Sequence, residues 1–420
     1  MTDQQTSRAR RTLNTTRQVG AFIKRNYARA REAKASGKPV VWTFGLVPRE
    51  IWTALDVPVL SLEHIPVMLA AKQVIGPYLD SAEQAGFARD LCPYHTAVLG
   101  CIESSRLDPE AEKLFVIPDM IVVSNMPCVA QSKSFLHAVE KYDVPYFVLD
   151  APLNLAAHDP PQRALDYHLE GLKGLLSFLA EHGIETDDAQ LSETVRRSRD
   201  MARLWAEIDR FRMLRPAPMT MADGLTGMYL LTFCAGQAEA LETVKQMRDE
   251  VAERARNGVG SVDDERLRLL FLGVPPWFNL GLINYPEKFG AVFVKSEIEY
   301  AMTGQTDINV LDPAYPLQSL AKKAMIDMLC PTYGNRIDIL RRAVREFSID
   351  GIVAAQKRGC RNLPGGFRLI KDMASAEFGI PTSVIDLDGL DLREYDDSRV
   401  KSSLDAFLGT LCARVGLGDG

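Results

Sequence analysis

Two kinds of apolar pattern alternate along this chain. Short, nearly continuous apolar runs mark strands covered on both faces, the signature of parallel sheets. Longer stretches carry the 3.6-residue period of helices with one buried face. In the first half the short runs are "PVVWTFGLVPREI" (39–51), "DVPVLSLE" (56–63), "DMIVVSNMPC" (119–128) and "DVPYFVLD" (143–150). In the second half they are "LRLLFLGVPPW" (267–277), "GAVFVKSE" (290–297), "DGIVAAQKRGC" (350–360) and "GIPTSVIDLD" (379–388). Strands alternating with helices predict an α/β fold.

The two sets share their punctuation. A Gly and a Pro follow the first strand of each, a Glu closes the second, and a Cys follows the third. "DLCPYH" (90–95) pairs with "MLCPTY" (328–333), and Trp42 reads as the counterpart of Trp277. Elements matched in one order predict an internal duplication. The expected architecture is two similar parallel-sheet domains of Rossmann or flavodoxin-like type, at 38–160 and 263–420. Between them, 161–262 shows helical periodicity and no strand. Residues 1–37 form a helical arm with Val19, Phe22, Ile23 and Tyr27 on one face.

Composition narrows the function classes. The chain is 46% hydrophobic and 25% charged, enough for a sizeable core. A net charge of −6 argues against a nucleic-acid footprint. No apolar run approaches the roughly 20 residues of a membrane helix. Residues 7–34 are basic and acid-poor, as in a transit peptide, but their period fits an amphipathic surface helix better. The seven cysteines are irregularly spaced, unlike a secreted disulfide framework, so a reducing cytoplasm is the expected compartment.

Those cysteines divide by context. Cys128 and Cys360 both follow a buried strand at its carboxyl end, where open α/β sheets bind ligands. Lys357, Arg358 and Arg361 surround Cys360, and cations favour the thiolate. Cys92 stands at a helix N-terminus, where unpaired N–H groups also favour an anion. Cys330, the counterpart of Cys92, is a fourth candidate. Cys101, Cys234 and Cys412 lie in helical apolar patterns and read as core. No C-x-x-C spacing occurs, which excludes a zinc ribbon or ferredoxin-type run. A soft metal or cluster would take its ligands from distant segments. Thr43, at the end of the first strand, and His95, three residues after Cys92, are candidate catalytic groups, as is Arg361. Ser124 and Asn125 are candidate hydrogen-bonding groups. Asp388, Asp391 and Arg393 read as a turn and an ion pair. "LPGGF" (363–367) could let backbone approach a pyrophosphate.

Several stretches together resemble the benzoyl-CoA reductase and 2-hydroxyacyl-CoA dehydratase family over nearly the whole length. They are "SGKPVVWTF", "VPREI", "SAEQAGFARDLCPYHTAVLG", "IPDMIVVSNMPC", "VPYFVLDAP", "RPAP", "REFSIDGIVAAQKRGCRN" and "GIPTSVIDLDGLDLREY". The resemblance implies a [4Fe–4S] cluster held by Cys92, Cys128 and Cys360 between the α/β domains. It implies a homologous second subunit, an ATP-hydrolysing iron–sulfur activator and a CoA thioester substrate. One electron entering the thioester carbonyl would make a ketyl radical anion. In the reductases this leads to partial reduction of an aromatic ring, and in the dehydratases to loss of the hydroxyl group. "NYARAREAKASGKPVVWTF" (26–44) looks closer to the reductase B-type subunit, so aromatic acyl-CoA reduction is the first expectation. A 2-hydroxyacyl-CoA dehydratase subunit is the alternative. A non-catalytic electron relay or double-cubane protein is the second alternative, for which only Cys330 stands in the right area. Family members often carry an acidic or polar residue where this chain has Leu272.

Overall fold

Every predicted strand forms. In the computed structural model, which describes residues 11–152, 159–303, 307–327, 333–357 and 359–416 (without the side chains of 129–132), β1 (Val41–Phe44), β2 (Val59–Ser61), β3 (Met120–Ser124) and β4 (Tyr146–Leu149) make one sheet. β5 (Leu267–Leu272), β6 (Ala291–Ser296), β7 (Gly351–Gln356) and β8 (Thr382–Asp386) make a second. Both sheets are parallel throughout, with orders β2-β1-β3-β4 and β6-β5-β7-β8. The duplication is therefore topological as well as sequential. In each sheet the order reverses between its first and third strands, which opens a crevice at their carboxyl ends.

The middle segment is helical among the described residues: Gln162–Glu181, Asp188–Arg212, Met221–Phe233 and Ala238–Arg256. The arm forms the helix Thr16–Ala35 and is more than a surface attachment. Val19 and Phe22 pack into the helical segment, while Tyr27, Ala30 and Ala33 enter the core of the sheets. That core is shared, since Trp42, Phe44 and Val123 belong to one apolar cluster with Phe271, Phe293 and Val353. The halves also interleave. Leu311, Leu320 and Ala321 pack with Val41, Ile51 and Leu149, and Lys323 reaches the buried Glu50 at 2.6 Å. The matching of the two tryptophans does not hold. Trp42 lies inside β1, fully buried, whereas Trp277 lies in the turn after β5.

Two charged residues inside the second sheet's apolar strands dock the helical segment. Arg268 in β5 donates to the carbonyls of Arg212, Met213 and Leu214, at the end of the helix Asp188–Arg212. A cation there meets the negative end of the helix dipole. Lys295 in β6 donates to Asp209 at 2.6 Å, and Arg212 donates to Glu299 at 2.7 Å. The four side chains Arg212, Lys295, Asp209 and Glu299 are buried and balance in charge.

Removing one partner from such a set leaves an uncompensated buried charge. Glu299→Gln is expected to lower unfolding free energy by about 3–5 kcal/mol, read from the denaturant midpoint. Glu170→Gln, which frees the exposed Lys173, should cost under about 1 kcal/mol. Equal stability of both variants would show that the buried network contributes nothing.

Candidate functional site

Cys92 caps the helix Pro93–Glu103 from an extended conformation, with φ −61° and ψ 125°. Its carbonyl accepts the N–H groups of His95 at 2.8 Å and Thr96 at 3.1 Å. Pro93 fits the first helical turn because no N–H is needed there. Cys128 and Cys360 follow β3 and β7 by the same interval, on the loops that leave the two crevices. All three cysteines are half-buried.

Backbone contacts bring these segments together. A β-carbon on Gly359 would lie 2.8 Å from Cys92 Cα and 2.9 Å from its nitrogen, so the Cys360 turn rests directly on the Cys92 backbone. Asn362 Nδ2 reaches the carbonyl of Pro127, the residue before Cys128, at 3.4 Å. A second chain of contacts holds the same loop from behind. Glu297, at the end of β6, accepts the Gly273 N–H at 3.0 Å and pairs with Arg336. Arg336 in turn donates to the Leu363 carbonyl at 2.7 Å.

The electrostatics centre on Lys357, which is 2% exposed. Its Nζ has no hydrogen-bond partner among the described residues. It lies 4.4 Å from the centre of the Tyr94 ring and 4.0 Å from Asp388 Oδ1. Burial pulls its pKa down, but Cys92, Asp388, Tyr94 and Cys360 outweigh burial and hold it above the ordinary lysine value. Burial raises the Cys92 thiol pKa, Lys357 opposes that rise, and Cys360 adds to it. Tyr94 is fixed by Trp277 Nε1, which donates to its hydroxyl at 2.8 Å.

The remaining candidates fall in different places. His95 is buried between Phe44 and Phe135, and burial with the Lys357 charge lowers its pKa to about 4. It is a neutral imidazole at neutral pH, with Nδ1 unpartnered among the described residues. Thr43 is fully buried too, but alternation along β1 puts it with Val41 on the face opposite Phe44, and so away from His95. Asn125 is occupied by Asp150 and by the Ala151 N–H, and Ser124 Oγ accepts the Met126 N–H. Asp391 and Arg393 form the expected ion pair at 2.8 Å, and Asp388 closes the expected turn on Leu390 and Asp391. The Gly365–Gly366 pair has a packing reason: β-carbons there would meet Tyr333 at 2.2 Å and 2.8 Å. Arg361, favoured by the sequence for the cleft, is exposed, and Lys357 is the cation that is buried. Cys330 and Arg358 lie outside the described residues. Cys101 and Cys234 are buried in the core, and burial carries the Cys234 thiol up to about 12. Cys412 packs at the core's edge.

Sequence reasoning missed the Glu297–Arg336 pair and the depth of Lys357. The Glu closing both second strands was a visible signal for Glu297; nothing local marked Arg336 as its partner. Among the described residues, no three His, Cys, Asp or Glu side chains are grouped as a single metal ion would require.

A family model described as "2-hydroxyglutaryl-CoA dehydratase, D-component" matches residues 45–411. The chain is 24% identical over 414 residues to the (R)-2-hydroxyisocaproyl-CoA dehydratase alpha subunit of Clostridioides difficile, covering 96% of this chain and 97% of that one. It is 22% identical over 386 residues to the (R)-phenyllactyl-CoA dehydratase alpha subunit of Clostridium sporogenes, covering 88% and 89%. It is 25% identical over 416 residues to the B-type subunit of the benzoyl-CoA reductase of Thauera aromatica, covering 92% of each.

Gly359→Ala tests the contact between the two cysteine segments. The added methyl meets backbone on the Cys92 side, so the turn must move. Stability is expected to fall by about 1–3 kcal/mol, with faster maleimide labelling of Cys92. Gly409→Ala, in a helix with nothing within 4 Å of the new carbon, should be neutral or stabilising by up to about 1 kcal/mol. Wild-type stability and labelling in Gly359→Ala would remove the contact as a constraint.

Proposed function

The chain belongs to the 2-hydroxyglutaryl-CoA dehydratase D-component family, and from that premise we propose that it is the cluster-bearing subunit of a radical-type acyl-CoA enzyme. The family and relatives are dehydratase and reductase subunits. Most of those names are dehydratases, which reverses the weighting that the opening segment suggested. The reading we favour is a lyase that removes water from a 2-hydroxyacyl-CoA. Reduction of an aromatic acyl-CoA is the second reading, carried by the full-length likeness to the B-type subunit of benzoyl-CoA reductase.

The single observation behind this reading is the convergence of the Cys92, Cys128 and Cys360 segments beside a buried ammonium. A single ion needs its ligands around one point, whereas a [4Fe–4S] cluster takes thiolates on different irons of a cube. Three thiols on separate loops, with a cation to offset their charge, fit that donor set. Cys92, Cys128 and Cys360 would hold the cluster, which would supply the single electron that a thioester carbonyl accepts. The chain's own groups exclude water and set charge. Tyr94, Phe44 and Phe135 line the Cys92 helix with aromatic surface. His95, held neutral by burial, offers a hydrogen bond and not a mobile proton. Thr43 lacks a partner for its hydroxyl among the described residues but faces away from His95, so we give it no step. Arg361, exposed beside Cys360, is available to an anionic group arriving from solvent.

The relatives' names describe them as alpha or B-type subunits, which supports a homologous second subunit here. An ATP-hydrolysing iron–sulfur activator would deliver the electron. No helix among the described residues is long and apolar enough to cross a membrane, and cytoplasmic residence is our proposal from the irregular spacing of the cysteines.

Protein purified without oxygen, with its partner subunit, should be brown and carry about four irons per chain. Cys360→Ala should lose that iron and Cys412→Ala should keep it. Dehydration is redox-neutral, so a dehydratase should release water from a 2-hydroxyacyl-CoA with catalytic reductant. A reductase should consume reductant in proportion to aromatic substrate. A folded, active protein without iron would end the proposal.

A further inference from the structure

Among the described residues, five cations are buried. Arg212, Arg268, Lys295 and Arg336 each donate to a carboxylate. Lys357 donates to none, and its Nζ has no hydrogen-bond partner among those residues. Its nearest carboxylate oxygen, Asp388 Oδ1, stands 4.0 Å away and already accepts the N–H groups of Leu390 at 2.9 Å and Asp391 at 3.1 Å. The Tyr94 ring, 4.4 Å from Nζ, gives a cation–π contact but takes none of the ammonium's three hydrogen bonds.

Stripping an ammonium of water costs several kcal/mol, and the cost is recovered only where anions face it. The groups that face Lys357 are Cys92 and Tyr94 from the first half, Cys360 from its own loop, and Asp388 from the turn after β8. Two of the four are thiols that the proposed function assigns as ligands. A donor group left unsatisfied at such depth points to an acceptor that belongs beside it.

We propose that Lys357 is the internal counter-ion of the three-cysteine site, and that its charge sets the potential at which the site takes up an electron. This rests on the reading of Cys92, Cys128 and Cys360 as cluster ligands. Thiolates make such a site anionic, and an incoming electron adds to a charge that a water-poor surrounding screens weakly. A fixed cation at this spot lowers the cost of that electron without moving during the reaction. Asp388 acts with the opposite sign, so the lysine and the aspartate together form a charge setting rather than a simple ion pair.

The experiment compares wild type, Lys357→Met, Lys357→Arg, Asp388→Asn and Arg361→Met, each purified anaerobically with the partner subunit. Iron content and the midpoint potential, from a redox titration followed by electron paramagnetic resonance, are the readouts. Lys357→Met should keep the iron and lower the equilibrium constant for reduction at least tenfold, about 59 mV for one electron. Lys357→Arg should restore most of that loss. Asp388→Asn, which preserves the acceptor of its turn, should shift the potential upward. Arg361→Met should shift it less than Lys357→Met does. Iron-loaded Lys357→Met at the wild-type potential would overturn the inference and leave the cluster reading intact. If Lys357→Met does not retain iron, Asp388→Asn decides alone, and an unchanged or lowered potential there overturns it. A wild-type protein without iron would instead overturn the cluster reading on which the inference stands.

Discussion

The close approach of the Gly359 backbone to Cys92 is the contact on which the arrangement of the cysteines depends. Cys92 belongs to the first half of the chain and Cys360 to the second, and no disulfide links the two. Their proximity exists because a residue without a side chain lets one turn rest on another's backbone. The shared apolar core brings the halves together over a wide front, but an apolar front alone leaves a turn free to slide. The hydrogen bond from Asn362 to Pro127 and the Glu297–Arg336 pair fix the same turn on two further sides. The site is thus held by backbone on backbone, with side chains acting as braces.

Buried charge serves two purposes in this molecule, and the hydrogen bonds separate them. Arg212, Lys295, Asp209 and Glu299 are matched in number, paired and buried, and they join the helical segment to the second sheet. Arg268 does the same through backbone carbonyls. Such sets contribute specificity of docking more than net stability, since desolvation offsets much of the Coulomb attraction. Lys357 differs in having charge nearby but no acceptor in reach among the described residues. The first group registers the helical segment on the second sheet. The second bears on what the crevice beside the cysteines can hold.

The duplication shows how one framework carries unequal roles. Both halves end their second strand on a glutamate that meets an arginine, yet the partners differ. Glu63 pairs with Arg49, the first residue of the helix after the first strand, at 2.6 Å. Glu297 pairs with Arg336, whose other contacts grip the Cys360 loop. The same carboxylate position therefore braces the cysteine loop only in the second half. The first half instead supplies Cys92 and its helix.

Strand positions, the parallel topology class, the helical insertion and the duplication were legible in the sequence, because burial on both faces writes itself as local apolar runs and helical faces as a local period. The separation of core cysteines from loop cysteines was legible for the same reason. Which tryptophan matched which was not, since Trp277 sits beyond its strand. The sequence favoured Arg361 over Lys357, only a few positions away on one turn, and the fold buries Lys357 instead. Their burial depends on what distant segments place over them, Tyr94 from the first half and Asp388 from the turn after β8 for one, and solvent for the other. Thr43 and His95 likewise looked equally near the cleft until the pleat of β1 put them on opposite faces. Local pattern decides what each element is; only long-range contact decides which charges lose their water and which cysteine-bearing segments meet.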